Sequence, residues 1–188
     1  QPSDIAVLQY PDTRLGLAKL SALWYGFPSK EFRLWGVTGT NGKTTTTYLM
    51  KYVWEQENLK TGLVGTVQNM VDNEVFPAVR TTPESLELQE LFRKMADAAC
   101  QRVVMEASSH ALKQDRVADT SFSGAIFTNL TQDHMDYHPD IADYIRSKAK
   151  LFGYLKKKEG QNVMGVVNID DDAADAFLAV SSVPVLTY

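Results

Sequence analysis

Three short stretches of this 188-residue chain hold the side chains whose types and spacing could do chemistry. The first, "GVTGTNGKTTTTYLM" (36–50), sets Gly39, Gly42, Lys43 and four consecutive threonines between an apolar run and a helix-like one. Glycines let backbone N–H groups curl around phosphate oxygens, and a helix N-terminus adds partial positive charge. A lysine there reaches the outer phosphates, and a threonine hydroxyl suits Mg²⁺. The general phosphate-loop pattern wants glycine six residues before the lysine. Val37 stands at that position, so Gly39 has to serve as the first turn glycine. The competing reading is a glycine turn capped by threonines before an ordinary helix. The loop speaks for nucleotide phosphate and leaves kinase, switch GTPase and ligase open; no Asn-Lys-x-Asp guanine-reading element is present.

The second stretch, "VVMEASSHALKQDR" (103–116), leaves an apolar run with Glu106 at its end and Ser108, Ser109, His110, Gln114 and Arg116 after it. A carboxylate at a strand tip beside a phosphate loop is what a Mg²⁺ site needs; the plainer reading is a solvated strand end, with His110 a capping or core histidine. The third, "FTNLTQDHMDYHP" (127–139), packs Asp133, His134, Asp136 and His138 into six residues. The two histidines fit a transition-metal site on residue types alone, and a polar loop capped by Asp133 fits equally. With Mg-ATP implied by the first stretch, one histidine is expected to join a magnesium site. A Ser-His-Asp hydrolase has its residue types here, but no Gly-x-Ser-x-Gly elbow accompanies them.

These residues need strand ends to hold them. Apolar runs at 32–37, 61–79, 102–108, 122–130, 163–169 and 184–188 predict strands, the second continuing into a hairpin with Asp72-Asn73 at its turn. Helical spacing predicts helices over 43–58, 84–99, 140–155 and 171–180, with Leu88, Leu91, Phe92, Met95 and Ala99 on one face of the second. Leu15, Leu17, Leu20, Leu23 and Trp24 make a further helical pattern that stops at Gly26 and Pro28. Strands alternating with helices predict an α/β fold: a mostly parallel sheet with helices on both faces. In such sheets ligands lie beyond the carboxyl ends of the strands, where all three stretches fall.

At 44% hydrophobic and 22% charged the chain has the composition of an ordinary globular domain, and its net charge of −4 argues against general nucleic-acid binding. It has no apolar run long enough for a membrane helix, and its single cysteine, Cys100, excludes an internal disulfide and a cysteine zinc cage. A reducing cytoplasm is the expected compartment. The last strand runs to Tyr188 with no closing helix, and the first 30 or so residues have no sheet of their own, so the chain reads as a fragment of something longer.

Taken together, "GVTGTNGKTTT", "MEASSHALKQDR" and "FTNLTQDHMDYH…YIRSKAKLF" resemble the central ATP-binding domain of the Mur ligase family. Among its branches they are most similar to the one that adds the third amino acid of the peptidoglycan stem peptide. That family writes its loop Thr-Gly-Thr-Asn-Gly-Lys-Thr, with an apolar residue where Val37 stands. The resemblance implies that residues 1–32 end an N-terminal UDP-binding domain and its linker, and that 33–188 form a central domain incomplete at its C-terminus. It implies ATP phosphates held by Gly39, Thr40, Asn41, Gly42, Lys43, Thr44 and Thr45, and Mg²⁺ by Thr44, Glu106, His134 and Lys148. Lys148 matches the family lysine that is carbamylated; Lys148, Lys43 and His134 are the implied catalytic residues. Thr81, Thr82, Ser108, Gln114 and Arg116 match positions that contact the substrate. The implied reaction passes the ATP γ-phosphoryl to the D-Glu carboxylate of UDP-MurNAc-L-Ala-D-Glu, and the amine of L-Lys or meso-diaminopimelate then displaces phosphate. The expected partners are these small molecules alone, with no nucleic acid or membrane, and the expected state is a monomer. The chain by itself is expected to bind nucleotide without ligating. Rival readings are another Mur-type ligase, of the folylpolyglutamate or cyanophycin kind, and a non-catalytic P-loop module.

Overall fold

The computed structural model describes residues 9–133, 135–157 and 160–188. Eight strands form one sheet: β1 (Arg33–Thr38), β2 (Thr61–Val64), β3 (Gln68–Val71), β4 (Glu74–Pro77), β5 (Arg102–Glu106), β6 (Phe122–Phe127), β7 (Met164–Val167) and β8 (Val185–Thr187). Six α-helices accompany them: α1 (Thr13–Trp24), α2 (Lys43–Gln56), α3 (Ser85–Asp97), α4 (Ser109–Lys113), α5 (Ile141–Gly153) and α6 (Ala174–Val180). The strand order is β4-β3-β2-β5-β1-β6-β7-β8. From β2 to β8 every neighbouring pair is parallel; β3 and β4 are an antiparallel edge hairpin. Its turn is at Asp72, with φ 53°, as the Asp72-Asn73 signal predicts.

Side chains alternate across the strands, and two clusters record it. Val37, Leu63 and Val104 pack with Tyr48, Met50 and Trp54 under α2. On the opposite face Leu34, Val103, Met105 and Phe127 meet Phe92 and Met95 of α3, Phe152 of α5 and Phe177 of α6. The direction of winding explains the division. The chain passes from β1 through α2 to β2 on one side, then returns through β5 and moves outward to β6, β7 and β8. Right-handed crossovers in opposite directions put their helices on opposite faces. The order therefore reverses at β1, and a crevice opens there above the strand ends.

Three features add to or correct the sequence reading. The apolar pattern of α1 does form a helix, but Leu15, Leu17, Leu20, Leu23 and Trp24 face outward, Trp24 at 81% exposure. The buried side of α1 is Gly16, Ala18, Ser21 and Ala22, small residues that let the helix lie close against α3. Ala99 falls beyond the end of α3, at φ 59°. The five-residue α4 was not expected; it is too short to show a period, and Ser108 starts it by accepting from the Ala111 N–H at 3.2 Å. Among the described residues no helix is long and apolar enough to cross a membrane.

Asp12 caps α1, its carboxylate accepting from the N–H groups of Arg14 at 2.8 Å and Leu15 at 3.2 Å. Asp12→Ala is expected to lower stability by about 1 kcal/mol, read from chemical denaturation.

Candidate active site

The first two chemical stretches meet Lys148 at a cleft of about 360 Å³ above the ends of β1, β2 and β5; the third contributes no lining residue and instead ties the loop through Thr128 and Asn129. Thr40, Asn41, Gly42, Lys43, Thr44 and Thr45 form one wall. Thr66, Thr81, Glu106, Ser108, Ser109 and Lys148 complete the lining.

Val37 is fully buried in β1, paired with Glu106 across the β1–β5 register. The residue that breaks the general motif is thus still strand, and the turn begins at Gly39, whose φ is 146°. The turn is tied to the end of β6. Thr40 N donates to Asn129 O at 2.8 Å, Asn41 N to Asn129 Oδ1 at 3.0 Å, and Thr128 Oγ1 to Asn41 O at 2.7 Å. Two loop amides are therefore committed inside the protein, which shifts the phosphate cradle toward Gly42–Thr45. Gly42 is the N-cap of α2 with φ 85°, and no side chain caps the helix's first turn. Uncapped N–H groups with the helix dipole behind them form an anion site. Lys43 closes over the loop, donating to Gly39 O at 2.9 Å and Thr40 O at 2.8 Å. Burial lowers its pKa, against the opposing pull of Glu106 and Asp133.

Glu106 has no solvent exposure and accepts four hydrogen bonds, all at 3.0 Å: Thr44 Oγ1 to both oxygens, and Thr66 N and Thr66 Oγ1. Carboxylate and threonine oxygens suit a hard cation. Among the described residues no cluster of three or more His, Cys, Asp or Glu side chains could hold a metal. One carboxylate plus substrate phosphates is the usual Mg²⁺ arrangement, so the donor set fits that ion. His134 lies outside the described residues. His138 is no metal ligand: its Nδ1 is 2.6 Å from Asp143 Oδ2 and its Nε2 3.0 Å from Ser109 Oγ. His110 stacks on Tyr137, centroids 4.0 Å apart.

Lys148 projects from α5 with 1% exposure and donates to Gly39 O at 2.7 Å, sharing that acceptor with Lys43. Its ammonium lies 4.5 Å from the Tyr144 ring centroid, and Tyr144 OH is 3.1 Å from Thr40 Oγ1. Burial, aided by the Lys43 charge, pulls the Lys148 pKa down to about 7. Substrate candidates divide. Thr81 and Ser108 line the cleft, whereas Thr82, 1% exposed, spends its hydroxyl on Glu106 O at 2.7 Å and on the Ser108 N–H at 3.1 Å. Gln114 and Arg116 lie outside the lining; Gln114 Oε1 accepts from Arg116 at 2.6 Å and from Arg14 at 3.2 Å.

Sequence reasoning missed Thr66, Thr128 and Tyr144. Thr66 carried a signal, since it follows a glycine at the carboxyl end of β2. Tyr144 and Thr128 carried none beyond their neighbourhood.

This constellation has a known counterpart. Residues 37–188 match the family model described as the Mur ligase middle domain. The chain belongs to the Mur ligase family. Among curated members, it is 45% identical over 184 residues to the UDP-N-acetylmuramoyl-L-alanyl-D-glutamate–2,6-diaminopimelate ligase of Caldanaerobacter subterraneus subsp. tengcongensis, covering 98% of this chain and 37% of that one. The ligase of the same name from Clostridium botulinum is 45% identical over 185 residues, with the same coverage. These are MurE ligases, the branch that the three motifs most resemble. A solved structure of a 2,6-diaminopimelate ligase superposes with TM-score 0.81 at 28% identity, over 100% of this chain and 39% of that one. The folylpolyglutamate synthase of Mycobacterium tuberculosis, solved with ADP and AMPPCP, shares the fold at TM-score 0.74 and 18% identity, over 94% of this chain and 47% of its own. The chain thus spans 37% of the length of these two curated relatives.

Proposed function

We infer that this chain is the central, ATP-binding part of a ligase of peptidoglycan precursor synthesis. Residues 1–32 are read as the end of a UDP-binding domain with its linker, and 33–188 as the central domain. The ligase joins an amino acid to UDP-MurNAc-L-Ala-D-Glu through an acyl phosphate, in the cytoplasm. Between L-Lys and diaminopimelate, the names of the relatives favour 2,6-diaminopimelate. The observation that carries this reading is the convergence on Gly39 O of Lys43 at 2.9 Å and Lys148 at 2.7 Å, in the cleft that also holds Glu106.

Phosphoryl transfer asks a protein for positioning and charge neutralisation more than for covalent chemistry. The amides of Gly42–Thr45 and the Lys43 ammonium would hold the β- and γ-phosphates. Thr44 Oγ1 and Glu106 would hold Mg²⁺ beside them, with His134 and Lys148 as further contributors; that ion adds positive charge at the transferred group. Thr81 and Ser108 would orient the acceptor at the cleft, with Gln114 and Arg116 at its edge and Thr82 holding Ser108. A lysine with a pKa near 7 holds a substantial share of free amine at neutral pH, the form that attacks CO₂. The N–C bond forms at the neutral amine, one proton leaves, and the amine becomes an anionic oxygen donor facing the same cleft.

The chain is expected to bind a fluorescent ATP analogue in the presence of Mg²⁺. Lys43→Ala should weaken that binding about 10- to 100-fold, the worth of one hydrogen bond to a charged group. An unchanged dissociation constant would sink the reading.

A further inference from the structure

Ser109, His138 and Asp143 form a buried hydrogen-bonded line that phosphoryl transfer does not use. His138 and Ser109 are each 1% exposed. Asp143 is held below the ordinary carboxylate range by Lys113, 2.6 Å away, and by His138. An ionised Asp143 makes Nδ1 of His138 the donor, which leaves Nε2 as an acceptor. The Ser109 hydroxyl therefore donates to Nε2 across 3.0 Å. A hydroxyl has two lone pairs besides its proton, and Ser109 lines the cleft with Glu106 and Lys148. The imidazole is walled by His110, Tyr137 and Tyr144, with ring centroids 5.0 to 5.9 Å away. Among the described residues, Asp143 is the charge on its ring nitrogen, and that carboxylate also pairs with Lys113 and, at 3.9 Å, with Arg146.

This order of groups is that of a serine hydrolase, yet an acyl phosphate needs no protein nucleophile. What its aminolysis needs is a proton acceptor. The C–N bond forms, the C–O bond to phosphate breaks, phosphate leaves with the electron pair, and the attacking nitrogen must shed a proton. We propose that Ser109, backed by His138 and Asp143, accepts the proton of the incoming amine. Ser109 Oγ takes the N–H proton while its own hydroxyl proton passes to His138 Nε2, and the imidazolium is held by Asp143 until the proton is released with product. Ser109 would touch the reacting amine; His138 and Asp143 are positioning residues acting through it. This proposal rests on the ligase reading above.

The test uses the complete ligase that carries this segment, with His138→Gln and Ser109→Ala. Scrambling of bridging ¹⁸O in ATP reports reversible acyl phosphate formation without the amine. Hydroxylamine is a weak base, unprotonated at neutral pH, and its adduct on the acyl carbon is acidic enough to lose the N–H proton to water, so it reports aminolysis that needs no acceptor from the protein. Both variants should keep the ¹⁸O exchange and hydroxamate formation, and lose amide formation with the amino acid about 100-fold or more. Equal loss with both amines would make the line merely structural and overturn the proposal, as would no loss at all. Absence of ¹⁸O exchange in the unsubstituted ligase would instead overturn the ligase reading, and the relay with it.

Discussion

Lys148→Met should make the chain more stable and the ligase inactive. The ammonium of Lys148 is held at 1% exposure, and its pKa falls from the ordinary 10.5 to about 7. The sign follows from proton counts. Between pH 7 and 10.5 the unfolded chain holds a proton that the folded chain has lost, so wild-type stability rises with pH across that window. Below about pH 7 the cost of the buried charge is present in full. Methionine keeps much of the length and removes the charge, giving up the bond to Gly39 O. Near pH 7 the gain should be on the order of 2–4 kcal/mol, and it should shrink toward zero as pH approaches 10.5. Denaturant unfolding at pH 7 and at pH 9.5 measures both. A variant less stable than wild type at pH 7 would contradict it.

The functional half points the other way. If Lys148 supplies an anionic donor to the phosphoryl site, the complete ligase should lose turnover by about 100- to 1,000-fold, as enzymes do when one preorganised transition-state contact is removed. Nucleotide affinity, which the proposed reading assigns to Lys43 and the α2 amides, should stay within a few-fold. A non-catalytic P-loop module would show the stability gain and have no turnover to lose, so paired measurements separate the two classes. A buried ionisable side chain that costs its fold stability while facing a polar cleft is a functional-site candidate.

What could be read from the sequence was whatever lies close along the chain. Strand β1, the glycine turn and α2 are contiguous, so Gly39, Lys43 and Thr44 were placed from residue types alone. The β3–β4 turn was legible because Asp tolerates the positive φ that Asp72 adopts. Glu106 was legible as a strand tip. The side of α1 that is buried was not, because periodicity shows an amphipathic helix and not which neighbour it meets; glycine and alanine won the contact with α3. The Ser109–His138 bond joins residues 29 apart, and Tyr144 meets Thr40 across 104. No local pattern encodes such pairs, which is why the third stretch left a metal site and a polar loop equally open while His138 spends both ring nitrogens on Asp143 and Ser109.

Gly39→Ala should be the most damaging small substitution in the loop. A Cβ on Gly39 would lie 2.0 Å from Thr128 Oγ1, with Asn129 O at 3.0 Å and Asn129 N at 3.1 Å. Thr128 cannot swing away cheaply, because its hydroxyl ties Asn41 O at 2.7 Å. The φ of 146° adds a conformational cost that only glycine escapes. Strain of about 1–3 kcal/mol and overpacking of similar size should together cost about 2–6 kcal/mol. Because Gly39 O accepts from both Lys43 and Lys148, any shift of the turn should also weaken nucleotide binding. Gly42→Ala is the control. Its φ is 85°, but an added Cβ meets nothing closer than 3.9 Å, so only the left-handed penalty of roughly 1–2 kcal/mol remains. Thr128→Ala in the Gly39→Ala background should recover the part of the steric cost that comes from Oγ1 and leave the Asn129 backbone contacts and the conformational share. Equal destabilisation by the two glycine substitutions would show that backbone conformation alone, and not the strap from β6, sets the shape of the loop.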